Sequence, residues 1–147
     1  MPTRKITSKL RKTSKKSSHS HKYSESEITK TFLEMLNIIK VYHWKTFSYS
    51  THKATDELYD DLNGRIDEFI ETMLGKTGNR INLTSCHSIP FTDYSNLSKF
   101  KSKIESFKSY LIHMSHSSIL QNNTDLSNIR DEILGDLNKF TYLLTFK

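Results

Sequence analysis

The sequence predicts an all-α protein, an up-down four-helix bundle with a long connection between its second and third helices. Three observations predict it. Apolar residues recur at spacings of three and four in four separate segments. No alternating run of strand length competes with them. About twenty residues without periodicity divide the segments two and two, as a crossover between helix pairs would. The 147 residues suffice for one core-bearing domain.

The first segment carries Phe32, Leu36, Ile39 and His43 on one face, and Ser24 with Glu27 precedes it in capping-box register. The second runs from Thr51 to Leu74. Its apolar positions Leu58, Tyr59, Leu62, Ile66, Phe69, Ile70 and Met73 share a face, and Gly75 is expected to stop it. The connection that follows, GKTGNRINLTSCHSIPFTDYS, holds two of the four glycines and one of the two prolines. Such a length is uncommon in an inert loop of a compact domain. A third segment places Leu97, Phe100, Ile104, Phe107, Leu111 and Met114 at heptad spacing. The fourth has Leu126, Ile129, Ile133, Leu137, Phe140 and Leu144, with a cap expected at Thr124 or Asp125.

Charge is divided unevenly. Residues 1–22 carry Arg4, Lys5, Lys9, Arg11, Lys12, Lys15, Lys16 and Lys22, with no Asp or Glu. Rich in Ser and Lys and almost free of apolar residues, they read as a disordered basic arm ahead of a helical domain over residues 23–147. Of the net charge of +6, the arm supplies +8; the other 14 basic and 16 acidic residues supply −2. Cys86 is the only cysteine, which excludes an intrachain disulfide and points to a reducing compartment. The basic start is not followed by the apolar core of a signal peptide, and no apolar run reaches the roughly 18 residues of a membrane span. A soluble intracellular protein with no membrane partner is expected.

The second segment bears a chemical pattern. Taking about 100° per residue and His52 as zero, Asp56 falls near 40°, Asp67 near 60°, Asp60 near 80° and Glu71 near 100°, while the apolar face centres near 290°. These groups form one stripe bordering the core. Along the axis Asp56 and Asp67 lie about 16 Å apart, too far for one chain to close both pairs on one ion. A second copy paired antiparallel about a two-fold axis near residues 61 and 62 sets His52 opposite Glu71 and Asp56 opposite Asp67. That gives two equivalent clusters per dimer. Burying unpaired carboxylates there costs several kcal/mol per ion, which a bound cation offsets. Imidazole and carboxylate donors with open positions suit non-haem iron, with zinc or manganese as alternatives. His43 lies on the apolar face of the first segment beside Trp44. It reads either as a further ligand or as a hydrogen-bonded core residue, and the stripe itself reads alternatively as a solvated helix surface.

The order His43-Trp44, His52, Asp56 four residues on, Asp67 eleven further and Glu71 four beyond resembles the ferroxidase motif of the Dps-type miniferritins. These are DNA-protecting members of the ferritin-like superfamily. The resemblance is specific over residues 32–74 and architectural beyond them. It implies a ferritin-like bundle and a hollow, usually dodecameric homo-oligomer. Fe(II) would be oxidised between subunits by hydrogen peroxide or dioxygen, and ferric mineral held inside. Position by position, it assigns His43, His52 and Asp56 to one subunit and Asp67 and Glu71 to its two-fold mate, as metal ligands and catalytic residues. It further implies DNA binding by the basic arm and a cytoplasmic or nucleoid setting. Compact forms of the motif also occur in large DNA viruses, which leaves a virion as the alternative setting and non-enzymatic DNA compaction or packaging as the rival function. Acids at the start of the last helix, Asp125, Asp131 and Glu132, resemble the lining of an ion pore, although a first-turn acid also favours the helix dipole.

Other motifs fail. The GKT at residues 75–77 lacks the glycine that a phosphate loop needs five residues earlier, where Ile70 stands. No Glu-x-x-His occurs, which argues against a di-iron site inside a single bundle. His113 and His116 read as surface residues.

The arm generates a direct test. Its eight cations neutralise up to about eight phosphates, so log K for duplex DNA against log salt is expected to slope no more steeply than about −7. Gel retardation should be salt-sensitive, indifferent to sequence, and lost when residues 1–22 are removed.

Overall fold

The structure, a computed structural model, describes residues 23–146. The expected disordered arm and its eight cations lie outside them. The described residues form four helices and no strand: α1 (Glu25–Lys45), α2 (Tyr49–Thr77), α3 (Leu97–Met114) and α4 (Thr124–Leu143). None is long and apolar enough to cross a membrane.

Three helices open on side-chain caps that satisfy a backbone N–H left without an intrahelical partner. The Ser24 hydroxyl accepts from Glu27 N–H at 3.3 Å, Ser48 from Thr51 at 3.3 Å, and the Asn96 amide from Lys99 at 3.2 Å. At α4 the expected cap is displaced. Thr124 begins the helix, and the N-cap position falls to Asn123, which makes no side-chain capping bond. Its amide instead donates backwards to the Ile119 carbonyl at 2.7 Å, while the Asp125 carboxylate accepts from the adjacent Leu126 N–H at 2.9 Å.

The end of α2 also differs from expectation. The helix passes through Gly75 and stops at Gly78, whose φ of 71° is left-handed and whose N–H donates to the Leu74 carbonyl at 2.8 Å. Glycine inside a helix costs only about 1 kcal/mol. Flanked by core residues such as Met73, Gly75 therefore does not break the helix; termination needs the left-handed turn that Gly78 supplies.

Only Thr46, Phe47 and Ser48 separate α1 from α2, so the two helices return antiparallel. Phe32 meets Phe69 edge-on with ring centroids 5.3 Å apart. On its other flank α2 packs along α4, and ion pairs bridge them from end to end: Glu57 with Lys139, Arg65 with Glu132 and Asp136, Lys76 with Asp125. Burial pushes the Asp136 carboxyl above its usual range, although Arg65 partly opposes the shift. Phe100 of α3 completes the core, stacked on Tyr42 of α1 at 3.9 Å and edge-on to Phe140 of α4 at 6.1 Å. Phe32, Phe69, Phe100 and Phe140 are all fully buried. The long connection is held to the end of α1 by Lys45, whose ammonium donates to both Asp93 oxygens at 2.6 and 2.7 Å.

Two glycine substitutions separate these effects. Gly135 lies exposed inside α4 with open space where a Cβ would stand, so Gly135→Ala should stabilise by about 0.5–1 kcal/mol. Gly78 also has open space, but Gly78→Ala forces a left-handed alanine and should destabilise by about 1–2 kcal/mol. Urea unfolding of the two variants should show shifts of opposite sign.

Candidate metal centre

The last turn of α1 and the first turns of α2 face each other across the short link, and they set His43 against His52 and, separately, against Asp56. His43 is buried, 7% exposed. Its Nδ1 lies 3.0 Å from the His52 carbonyl and 3.2 Å from the hydroxyl of Thr55, which is fully buried. His52 returns the bond: its Nδ1 lies 3.0 Å from the His43 carbonyl. The rings stack at 3.9 Å.

This reciprocity fixes the chemistry of both rings. A carbonyl oxygen only accepts, so each Nδ1 must carry the proton. In the neutral imidazoles both Nε2 atoms are therefore left with a lone pair. The arrangement has a structural consequence as well, because the His43 carbonyl belongs to the last turn of α1, where carbonyls lack intrahelical donors. His52 supplies the missing donor.

The Nε2 of His43 lies 3.7 Å from Asp56 Oδ1. That separation is too long for a hydrogen bond. It is the spacing of two ligands on one divalent ion with bonds of about 2.1 Å and an angle of about 120° between them. An Nδ1–H anchored on a backbone carbonyl is also the outer contact that orients metal-binding histidines. Asp56 has a second neighbour that the sequence did not disclose. Lys40 Nζ lies 3.9 Å from the same Oδ1, with the ammonium 4.5 Å above the Tyr59 ring.

Asp67 and Glu71 are not part of this cluster. Both are exposed farther along α2, with no ion pair or hydrogen bond to any described residue. Asp67 rims an open groove of about 230 Å³ between α1 and α2, floored by Leu33, Leu36, Ile66 and Ile70. Among the described residues no group of three or more His, Cys, Asp or Glu side chains converges as a metal holder. One chain thus presents donors without closing a site around them.

The acids at the start of α4 are paired. Asp125 accepts from Lys76, which pulls its carboxyl below the usual range; Glu132 pairs with Arg65, and Asp131 with Arg130 at 2.9 Å. Neutralised within the chain, they make a poor lining for a cation pore. His113 directs its Nδ1–H to the Ser109 carbonyl of its own helix at 2.6 Å, and His116 is exposed.

Residues 43–144 match the model of a family of unknown function, DUF5856. The chain belongs to that family. No characterised protein and no solved structure matches it. The DUF5856 segment opens at His43 and takes in His52, Asp56, Asp67 and Glu71, together with most of the packing that positions them. Lys40 and the basic arm lie outside it.

Sequence reasoning missed three contributors: Lys40, Thr55 and Tyr59. Lys40 stands one helical turn before His43, a spacing that shares a face. That signal was present, but its meaning depended on what α2 sets opposite.

The reciprocal bonds predict a tautomer. Long-range proton–nitrogen spectra of the full chain, recorded where the imidazoles are neutral, should show Nδ1 protonated and Nε2 unprotonated in both His43 and His52. Protonated Nε2 in either ring would break the lock as described.

Proposed function

We propose that this DUF5856 chain is a miniferritin-like subunit, a ferritin-like up-down four-helix bundle that pairs through α2 about a two-fold axis. It oxidises Fe(II) at sites between subunits, retains the ferric product within a closed, dodecamer-like shell, and holds DNA through its basic arm. The observation that carries this reading is the reciprocal His43–His52 lock, which leaves both Nε2 atoms with lone pairs and sets that of His43 beside the Asp56 carboxylate.

The residue types account for the chemistry. Neutral imidazoles take Fe(II) at Nε2 without any proton first having to leave. Asp56 and, from the second copy, Asp67 and Glu71 supply negative charge that favours Fe(III) over Fe(II). These two acids have no partner among the described residues of their own chain, as groups completing a site on a mate require. The groove beside Asp67 offers an apolar floor on which α2 of the mate seats. Hydrogen peroxide accepts one electron from each of two Fe(II) ions and leaves, with two protons, as water. Paired delivery releases no hydroxyl radical near DNA. Zinc or manganese would fit the same donors, so the oxidation assay rather than metal affinity distinguishes the function.

Anaerobic Fe(II) addition followed by a small excess of hydrogen peroxide tests the proposal. Ferric absorbance should rise rapidly in the wild type with a soluble product, and fall to the protein-free rate in the double variant Asp67→Ala, Glu71→Ala. Light scattering should give an oligomer; a monomer would remove the intersubunit site. Oxidation at the protein-free rate by both proteins would leave DNA compaction by the arm as the function.

A further inference from the structure

One oxygen of the Asp56 carboxylate is approached by two groups of different kind. The Nε2 of His43 lies 3.7 Å from it and the ammonium of Lys40 lies 3.9 Å from it. Lys40 makes no other ion pair among the described residues, and its charge rests over the Tyr59 ring of α2. Cation–π contact holds an ammonium only loosely in an exposed setting. The ammonium is thus stationed at the carboxylate by two weak contacts. Neither is buried: the side chains of Lys40 and Asp56 are 30% and 43% exposed.

We infer that Lys40 is the resident counter-cation of this site, neutralising Asp56 when no metal is bound and competing with the arriving divalent ion for the carboxylate. The inference rests on the metal-binding reading of His43 and Asp56 given above. The arriving ion carries two charges to the ammonium's one and gains His43 Nε2 as well, so it takes the carboxylate. Lys40 then remains over Tyr59, where its repulsion weakens metal binding. Removing that charge should strengthen binding, because a unit charge about 5 Å from a divalent ion in a half-exposed site shifts affinity by about ten- to hundredfold. Lys40 therefore limits how tightly the site holds metal between turnovers, and lets ferric product pass on rather than remain.

Methionine is the informative replacement, since it retains an unbranched stem over Tyr59 and loses only the charge. Co(II) titration of the full chain at low ionic strength, followed by its visible absorption, reads binding without turnover. Lys40→Met should bind Co(II) about ten- to hundredfold more tightly than the wild type, Lys40→Arg should match the wild type, and added salt should narrow the gap. His43→Ala serves as the control on the site. If it loses binding while Lys40→Met binds as the wild type does, or more weakly, Lys40 is an ordinary surface ion pair or a support for Asp56, and the inference falls alone. If His43→Ala binds Co(II) as tightly as the wild type, the site reading itself fails and Lys40 falls with it.

Discussion

The three-residue link between α1 and α2 is the constraint from which the rest follows. With only Thr46, Phe47 and Ser48 available, α2 must double back directly along α1, and the register of one helix on the other is fixed at the turn. From that register Phe32 reaches Phe69 toward the far end, while His43 falls over His52 near the link. The core and the candidate site are two ends of one antiparallel contact. The stacked pair also supplies a donor to a carbonyl at the end of α1, so the same bonds that orient the imidazoles close the helix.

Electrostatics separates the acidic residues into two groups. Several carboxylates that face another helix or the long connection have a basic partner: Glu34 with Lys103, Glu57 with Lys139, Glu132 with Arg65, Asp93 with Lys45. Among the described residues Asp67 and Glu71 have none. An exposed carboxylate without a partner costs a single chain little, because surface ion pairs contribute only about 0–1 kcal/mol. Its cost appears when another surface covers it, and a bound cation then offsets that cost. The charge pattern of α2 is economical for a monomer and consequential for a dimer.

Asp56 stands between these groups. It faces α1, and its partners there are an imidazole whose Nδ1 is committed to a carbonyl and an ammonium held at a distance longer than a hydrogen bond. Short ion pairs such as Lys45 with Asp93, at 2.6 Å, show the closer contact that this fold makes where charge neutralisation is its only task. At Asp56 neither neighbour closes fully, which leaves the carboxylate open to a third.

The sequence by itself determined the four helices, since the period of their apolar residues is a local property that the backbone reads without reference to distant segments. The caps at Ser24 and the stripe of His52, Asp56, Asp67 and Glu71 along α2 were legible for the same reason: each depends on residues within a few turns of one helix. The α2 terminus was misplaced at Gly75 because composition shows which residues permit a left-handed turn, not which one adopts it. Gly78 adopts it, where the chain leaves the helix for the connection. The α4 cap was misplaced because the Asn123 side chain is drawn back to Ile119, a contact that depends on the preceding turn. Only the tertiary structure decided that His43 and His52 exchange bonds, that both Nε2 atoms are left with lone pairs, and that Lys40 stands at Asp56. Those contacts join residues of different helices, and their distances follow from interhelix register, which periodicity within a helix does not encode.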